Sequence, residues 1–169
     1  MIISNDFGND ESQGRRQSRK TGSHKGACGC EVCGSGMTLE KFDQWTRKNI
    51  EKHGFCIHHV SKPGDLYNNI HTHGFEKTWK HPDFQIVIPL DQKTAHGVFW
   101  DLADRVKAGK VFHSGDQVDG VVRNYPIRFA ADVENEHYVL RIIFPDANGR
   151  FPGDPDVKPL YGGQITAKV

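Results

Sequence analysis

Residues 91–109 read DQKTAHGVFWDLADRVKAG and carry the clearest helical pattern in the chain. Apolar residues recur there at intervals of three and four, which places them on one face of an α-helix. Asp91 is predicted to cap the first turn, and Gly109 is predicted to end the helix. An apolar helix face of this kind must be covered by another layer of the fold. The apolar positions are Ala95, Val98, Phe99, Leu102, Ala103 and Val106.

Short β-prone segments lie on both sides of this helix, with turn residues between them. A second helix is predicted nearer the N-terminus, between a cap at Thr38 and a stop at Gly54. The mostly hairpin order of the strands indicates an α+β fold, in which two helices pack on one face of a mostly antiparallel sheet of about six strands. The β-prone segments are residues 55–60, 67–75, 84–90, 111–113, 118–122, 125–133 and 138–144.

The chain has 169 residues, which is enough for one hydrophobic core. Residues 1–36 are rich in Gly, Ser, Asn, Arg and Lys and have almost no aliphatic side chains. Such a segment cannot bury enough apolar surface to offset the entropy lost on folding. The sequence therefore predicts a disordered polar leader at 1–36, which contains a cysteine cluster, and a single α+β domain at 37–169.

Charge and hydropathy argue against several classes of protein. The 22 basic and 21 acidic side chains give a net charge of +1, which argues against a nucleic-acid binder. No window approaches the length of apolar sequence that a membrane span needs, and the N-terminal segment lacks the apolar core of a secretory signal. We therefore expect a cytoplasmic protein without a membrane partner.

The histidines are unevenly distributed, since eight of the ten lie between His53 and His113. Imidazole titrates near neutral pH and is the commonest metal ligand, so this density indicates acid–base chemistry or a metal site. His71 and His73 are alternate residues of a predicted strand, so their rings face the same way and can meet one ion. The alternative is a half-exposed polar strand face that carries two histidines and no ligand.

A second group of metal-ligating residues lies in the leader, where Cys28, Cys30 and Cys33 fall within six residues. Without an export signal, these cysteines are predicted to be reduced thiols or metal ligands rather than a disulfide framework. Zinc takes four ligands, and the Cys-x-x-Cys spacing lets two thiolates converge from one turn. The fourth ligand would be His24, Cys56 or another histidine, and the alternative is an exposed thiol cluster without metal.

The C-terminal segment combines prolines with acidic side chains and one arginine. Asp146, Asp154 and Asp156 are candidates for binding a cation, and Arg150 is a candidate for binding a carboxylate or phosphate group. The alternative is purely structural. In that case Asp146 and Asn148 form a turn, and Arg150 bridges to Asp154.

Five short motifs are spread over residues 70–164: IHTHGF at 70–75, HPDF at 81–84, AHG at 95–97, PDANGRFPGDP at 145–155 and GGQ at 162–164. Through these motifs the chain resembles a family of small bacterial proteins known only as a domain of unknown function. The chain differs from the family pattern by His71 and His73 in the first motif, and by Gly153 where the family usually has Trp. The resemblance implies a single compact bacterial domain.

The resemblance also directs attention to six polar residues as candidate binding residues. They would form a pocket for a small anionic ligand or a peptide, with the arginine as its anchor. The six residues are His81, His96, Asp146, Arg150, Asp154 and Gln164.

Three hypotheses about function follow from the sequence. The first is a binding or accessory module for a small ligand or peptide. The second is a metal-dependent hydrolase or transferase, in which His71, His73 and a carboxylate such as Asp146 hold a metal, with zinc as the candidate, that activates water. The third is a protein-interaction factor of the immunity or anti-defence type. A Cys56 nucleophile with His58 on the same strand side is a weaker alternative, since no third residue is evident to orient the pair.

Overall fold

The two long helices begin and end where their capping residues predict. The computed structural model describes residues 37–61, 64–134 and 136–169. Helix α1 spans Leu39–His53, with a Thr38 cap that accepts a hydrogen bond from Lys41 N and with Gly54 in the left-handed conformation at φ 88°. Local capping chemistry therefore fixes both ends of this helix.

Two shorter helices were not predicted. Helix α2 spans Phe75–Trp79, where the sequence predicted the end of a strand. The strand stops at His73 because Gly74 adopts φ 115° and because the Asp83 carboxylate accepts hydrogen bonds from Gly74 N and Phe75 N, which begins a helix.

The long helix of the opening pattern is α3, which spans Gln92–Lys107 and is capped by the Asp91 carboxylate through Thr94 N at 2.9 Å. Helix α4 spans Pro159–Gly162, and a single 3₁₀ turn follows it at Gly163–Ile165. The described residues thus contain four α-helices rather than two. None of these helices combines the length and the apolar character that a membrane span requires.

Within the described part of the chain, six strands form one mixed sheet in the order β1-β2-β3-β6-β5-β4. Strands β3 and β6 are parallel, and the other neighbours are antiparallel, so the sheet is mostly antiparallel as predicted. The strands are β1 Cys56–Val60, β2 Asn69–His73, β3 Asp83–Ile86, β4 Gln117–Val122, β5 Tyr125–Glu134 and β6 His137–Ile143.

Residues 111–113 form no strand, although their sequence predicted one. The side chain of Phe112 is buried in the core, and its backbone N–H donates to His81 Nε2 at 3.1 Å instead of pairing with a neighbouring strand. Phe112 therefore buries its side chain and pairs its N–H group without being part of a strand.

One face of the sheet is apolar and packs against α3. Side chains alternate along each strand, so Ile57 faces this core while the next residue, His58, faces away from it. Helix α1 lies on the His58 side, because Phe42 and Trp45 stack near the His58 ring. The two long helices consequently cover opposite faces, and the prediction that both pack on one face is not confirmed.

The face opposite α3 carries a row of polar side chains that extends over five neighbouring strands, β1, β2, β3, β6 and β5. Several of its members are buried, which requires that their polar atoms find partners inside the protein. The members are His58, Asn69, His71, His73, Gln85, Arg141, Asp132 and Glu134.

Candidate metal centre

Strand register brings three histidines together on this polar face. In the β1–β2 pair, His58 lies directly opposite His71, and Cys56 lies directly opposite His73. Facing residues of an antiparallel pair have Cβ atoms about 5 Å apart, within reach of each other's side chains. Alternation along β2 therefore places His71 and His73 on one face, and the pairing of β1 with β2 brings His58 beside them.

The three imidazoles converge closely enough to share one ion. The Nε2 atoms of His71 and His73 are 3.1 Å apart, and the His58 ring centroid is 4.5 Å from that of His73. One ring nitrogen from each histidine lies within 4.8 Å of the others. Ligand nitrogens about 3.3 Å apart are expected around a tetrahedral zinc ion with Zn–N distances of about 2.0–2.1 Å. The group could therefore hold a metal.

Burial keeps these histidines neutral. Burial and the neighbouring His73 lower the pKa of His58 to about 3. Burial, with His73 and His58 nearby, likewise lowers the pKa of His71 to about 3. Burial also lowers the pKa of His73, and the Glu134 carboxylate partly offsets that effect. Only neutral imidazole donates a lone pair to a metal, so the site does not need to lose protons at neutral pH.

His71 is held from behind by two oxygen acceptors. Its Nδ1 is 2.9 Å from Asn69 Oδ1 and 3.2 Å from Glu134 Oε1. With the proton on Nδ1 it donates to these oxygens, and Nε2 is left with a lone pair that faces His73. A histidine ligand commonly donates its second nitrogen to a carboxylate or carbonyl in this way.

Helix α1 and strand β1 enclose His58. Its Nε2 is 3.2 Å from Thr46 Oγ1 and 3.6 Å from Cys56 Sγ, and the Phe42 ring lies 4.6 Å away. Cys56 is buried, and its sulfur is not one of the atoms in the three-histidine group. His73 is more open to solvent than His71.

His81 lies in the aromatic core rather than beside the other histidines. It is 1% exposed, its Nδ1 donates to Pro82 O at 2.7 Å, and its Nε2 accepts from Phe112 N at 3.1 Å. The Phe84 ring packs against it in a tilted arrangement, with the ring centroids 4.9 Å apart. Both ring nitrogens are therefore used to hold the backbone, and the binding role predicted for this residue stays a prediction.

Asp146 organises its own loop. It is buried, and its carboxylate accepts from the backbone N–H groups of Asn148, Arg150 and Lys158. Burial by itself would raise the pKa of this carboxyl, but the three N–H donors and the Arg150 charge lower it overall. The predicted turn at Asp146 and Asn148 is present, and the carboxylate is not part of the three-histidine group.

Asp154 and Asp156 also take part in hydrogen bonds within the C-terminal segment. The Asp154 carboxylate accepts from Phe151 N at 2.7 Å, and the Arg150 guanidinium donates to Asp156 O at 2.8 Å. Arg150 thus bonds to a main-chain carbonyl in the place where the sequence suggested a bridge to Asp154.

Gln164 and His96 lie at two further places in the fold. Gln164 is fully buried, and its amide bonds to both the N–H and the carbonyl of Phe144, which ties the C-terminal turn to the end of β6. His96 is on α3, where burial and the nearby His59 lower its pKa. Among the predicted site residues that it describes, the structure therefore brings His71 and His73 together, and it separately joins Asp146 to Arg150 within the C-terminal loop.

The cysteine cluster and His58 are the remaining parts of the site. Cys28, Cys30 and Cys33 lie outside the described residues, so their predicted metal site stays a prediction. His58 was not proposed as a ligand, because its position beside His71 depends on hairpin register. A sequence pattern could have indicated His58 as a third ligand. Cys56 and His58 alternate along a predicted strand, and this strand directly precedes the one that carries His71 and His73.

The family to which the chain belongs follows from comparison with known proteins. Residues 49–158 match the family model DUF4262, described as a domain of unknown function. The chain belongs to this family. The match includes all three histidines of the cluster, and neither the curated proteins nor the solved structures gave a match.

Proposed function

We propose that this DUF4262 protein binds a transition-metal ion, with zinc as the candidate, through His58, His71 and His73. The convergence of three neutral imidazoles on one point is the observation that supports this proposal. Three imidazoles with hydrophobic cover suit zinc, copper, iron or nickel better than magnesium or calcium, which prefer oxygen ligands.

The same geometry favours a catalytic rather than a purely structural metal. Structural zinc sites have four protein ligands, whereas catalytic sites have three and keep the fourth position for water or substrate. The cluster provides three ligands, and His73 is partly exposed to solvent. We therefore propose a metal-dependent hydrolase or transferase, in which the three histidines would hold the ion and the ion would supply an activated water as the nucleophile.

The small-ligand or peptide role has less support. The residues predicted for it engage their polar atoms with nearby backbone, as His81, Asp146 and Gln164 do. A cleft of about 290 Å³ exists, but it is lined by Arg105, Ala108, Lys110 and Phe112 and includes none of the six predicted binding residues.

Metal analysis of the purified full-length chain tests the proposal. We expect one equivalent of zinc that is retained when Cys28, Cys30 and Cys33 are all replaced by Ser, and that is lost when His71 and His73 are replaced by Ala. Loss of zinc in the cysteine variant alone would place the metal at the leader and overturn the assignment to the histidines.

The catalytic step needs a separate assay. We expect the zinc-loaded protein to hydrolyse an activated ester or phosphodiester, such as p-nitrophenyl acetate or bis(p-nitrophenyl) phosphate, and we expect a chelator to stop the reaction. Equal rates in the wild type and in His71→Ala would overturn the catalytic assignment, whatever the metal content.

A further inference from the structure

We propose that Arg141 and Glu134 act together as positioning residues that fix the tautomer of His71. A series of partly buried hydrogen bonds behind the cluster links these residues, and the inference rests on the proposed metal site only for its effect on metal affinity. At one end of this series is a group that can only donate hydrogen bonds, and at the other end is a group that can only accept them.

Arg141 is the donor end. It lies on β6 and is 3% exposed, and its Nε donates to Gln85 Oε1 at 2.8 Å. A guanidinium group has N–H donors and no acceptor, so the Gln85 oxygen must face Arg141. The Gln85 amide nitrogen consequently faces the other way along the sheet.

Glu134 is the acceptor end. Its Oε1 accepts from Asn69 Nδ2 at 2.6 Å, and its Oε2 accepts from Gln85 Nε2 at 3.0 Å. An ionised carboxylate has no donor, so it orients both amide nitrogens toward itself. The Gln85 orientation is thereby fixed from both ends, and the Asn69 orientation is fixed by Glu134.

Asn69 transmits this orientation to His71. Because its nitrogen points at Glu134, its Oδ1 is left to accept from Gln85 Nε2 at 3.2 Å and from His71 Nδ1 at 2.9 Å. His71 Nδ1 therefore faces two acceptors, Asn69 Oδ1 and Glu134 Oε1, and among the residues that the structure describes no donor bonds to it. The proton belongs on Nδ1, and the Nε2 lone pair points into the cluster.

Arg141 is itself anchored by the C-terminal segment. Its guanidinium donates to the carbonyl oxygens of Gln164, Ile165 and Ala167, and it forms an ion pair with Asp132. This series of hydrogen bonds therefore runs from the C-terminal turn across the sheet to His71, the candidate metal ligand. The buried Arg141 thus acquires a specific role in this arrangement.

Nitrogen-15 NMR of the metal-free full-length protein at neutral pH tests the inference directly. We expect His71 to be protonated on Nδ1. In Glu134→Gln the new amide can donate toward Asn69, which frees the Asn69 side chain to turn and favours the Nε2-protonated form. Glu136→Gln is the matched control, because Glu136 is an exposed glutamate in the β5–β6 turn, two residues after Glu134.

Zinc titration provides the second measurement. We expect Glu134→Gln to weaken zinc binding by about 10–100-fold, the usual effect of losing the residue behind a histidine ligand, and Glu136→Gln to leave binding unchanged. Equal affinities of Glu134→Gln and the wild type would overturn the positioning role.

The two proposals fail in different ways. If His71 in the wild type carries its proton on Nε2, the positioning inference is wrong even if zinc binds. If the proton is on Nδ1 but the wild type binds no zinc in the histidine cluster, the proposed function is wrong and the tautomer assignment stands. The wild-type spectrum gives this answer even if a variant does not fold.

Discussion

The Nε2 atoms of His71 and His73 lie 3.1 Å apart on one face of β2. At this distance only one of the two atoms can carry a proton, because two N–H groups would repel each other. If His71 presents its lone pair, His73 donates its Nε2 proton in the metal-free protein. Metal binding must then move the His73 proton to Nδ1, so that both lone pairs face the ion.

Cys56 offers the first prediction, because its sulfur lies beside His58 but outside the three-histidine group. We expect Cys56→Ser to retain its zinc, as measured by metal analysis of the purified protein. His58→Ala in the same background is the comparison, and we expect it to lose zinc. Loss of zinc from Cys56→Ser would make the thiol a fourth ligand and would indicate a closed structural site.

Asp83 gives a prediction about pH. Burial raises the pKa of Asp83 to about 6, although Thr72, Phe75 and Gly74 donate hydrogen bonds to it. Because the folded-state pKa exceeds the unfolded value, the stabilisation is present below the unfolded pKa and is lost as pH rises through about 6. We expect this loss to reach about 3 kcal/mol at neutral pH.

Urea unfolding of the wild type and of Asp83→Asn, both with chelator, measures the effect. The difference between the two free energies of unfolding removes the contributions of other groups. We expect the free energy of unfolding of Asp83→Asn to rise relative to that of the wild type as the pH is raised from 4 to 7. A change in the opposite direction would show that Asp83 is stabilised as the carboxylate.

His81 gives a prediction about stability. His81→Ala leaves Phe112 N unpaired and opens a space among aromatic rings, so we expect it to lower the free energy of unfolding by about 3 kcal/mol. His113→Ala is the control, since the His113 side chain is 74% exposed. Unchanged stability of His81→Ala would leave this histidine available for the ligand role that the sequence suggested.

Gln164 gives a prediction about the C-terminal segment. Gln164→Leu removes the partners of both Phe144 N and Phe144 O, and we expect a loss of about 2 kcal/mol and faster hydrogen exchange at the Phe144 amide. Gln92→Leu, at an exposed site at the start of α3, serves as the comparison. Equal exchange rates at Phe144 in the two variants would contradict this structural role.

The parts of the fold that could be predicted are those that local chemistry determines. The periodicity of residues 91–109 and the caps at Thr38 and Asp91 define the two long helices without reference to the rest of the chain. Six of the seven predicted strands recur, five of them with both ends within two residues of the prediction, because turn residues limit them. Helix α2 was missed because its start depends on Asp83, a residue that follows it in the sequence.

The candidate site was only partly predictable for a related reason. Alternation along one strand was sufficient to pair His71 with His73, whereas His58 joins them through the register of a neighbouring strand. The acid and guanidinium groups of the C-terminal loop were expected near the histidines. Asp146 and Arg150 instead satisfy backbone groups of their own loop, which residue types alone do not reveal.

Titration with Co²⁺ tests the central claim most directly, because the visible absorption of this ion reports its ligands and geometry. The full-length chain with Cys28, Cys30 and Cys33 replaced by Ser should bind one equivalent and develop the intense visible bands of four- or five-coordinate cobalt. These bands should disappear when His58, His71 and His73 are replaced by Ala. Bands that persist without the three histidines, or a wild-type spectrum that remains that of aqueous cobalt, would contradict the assignment of this cluster as a metal centre.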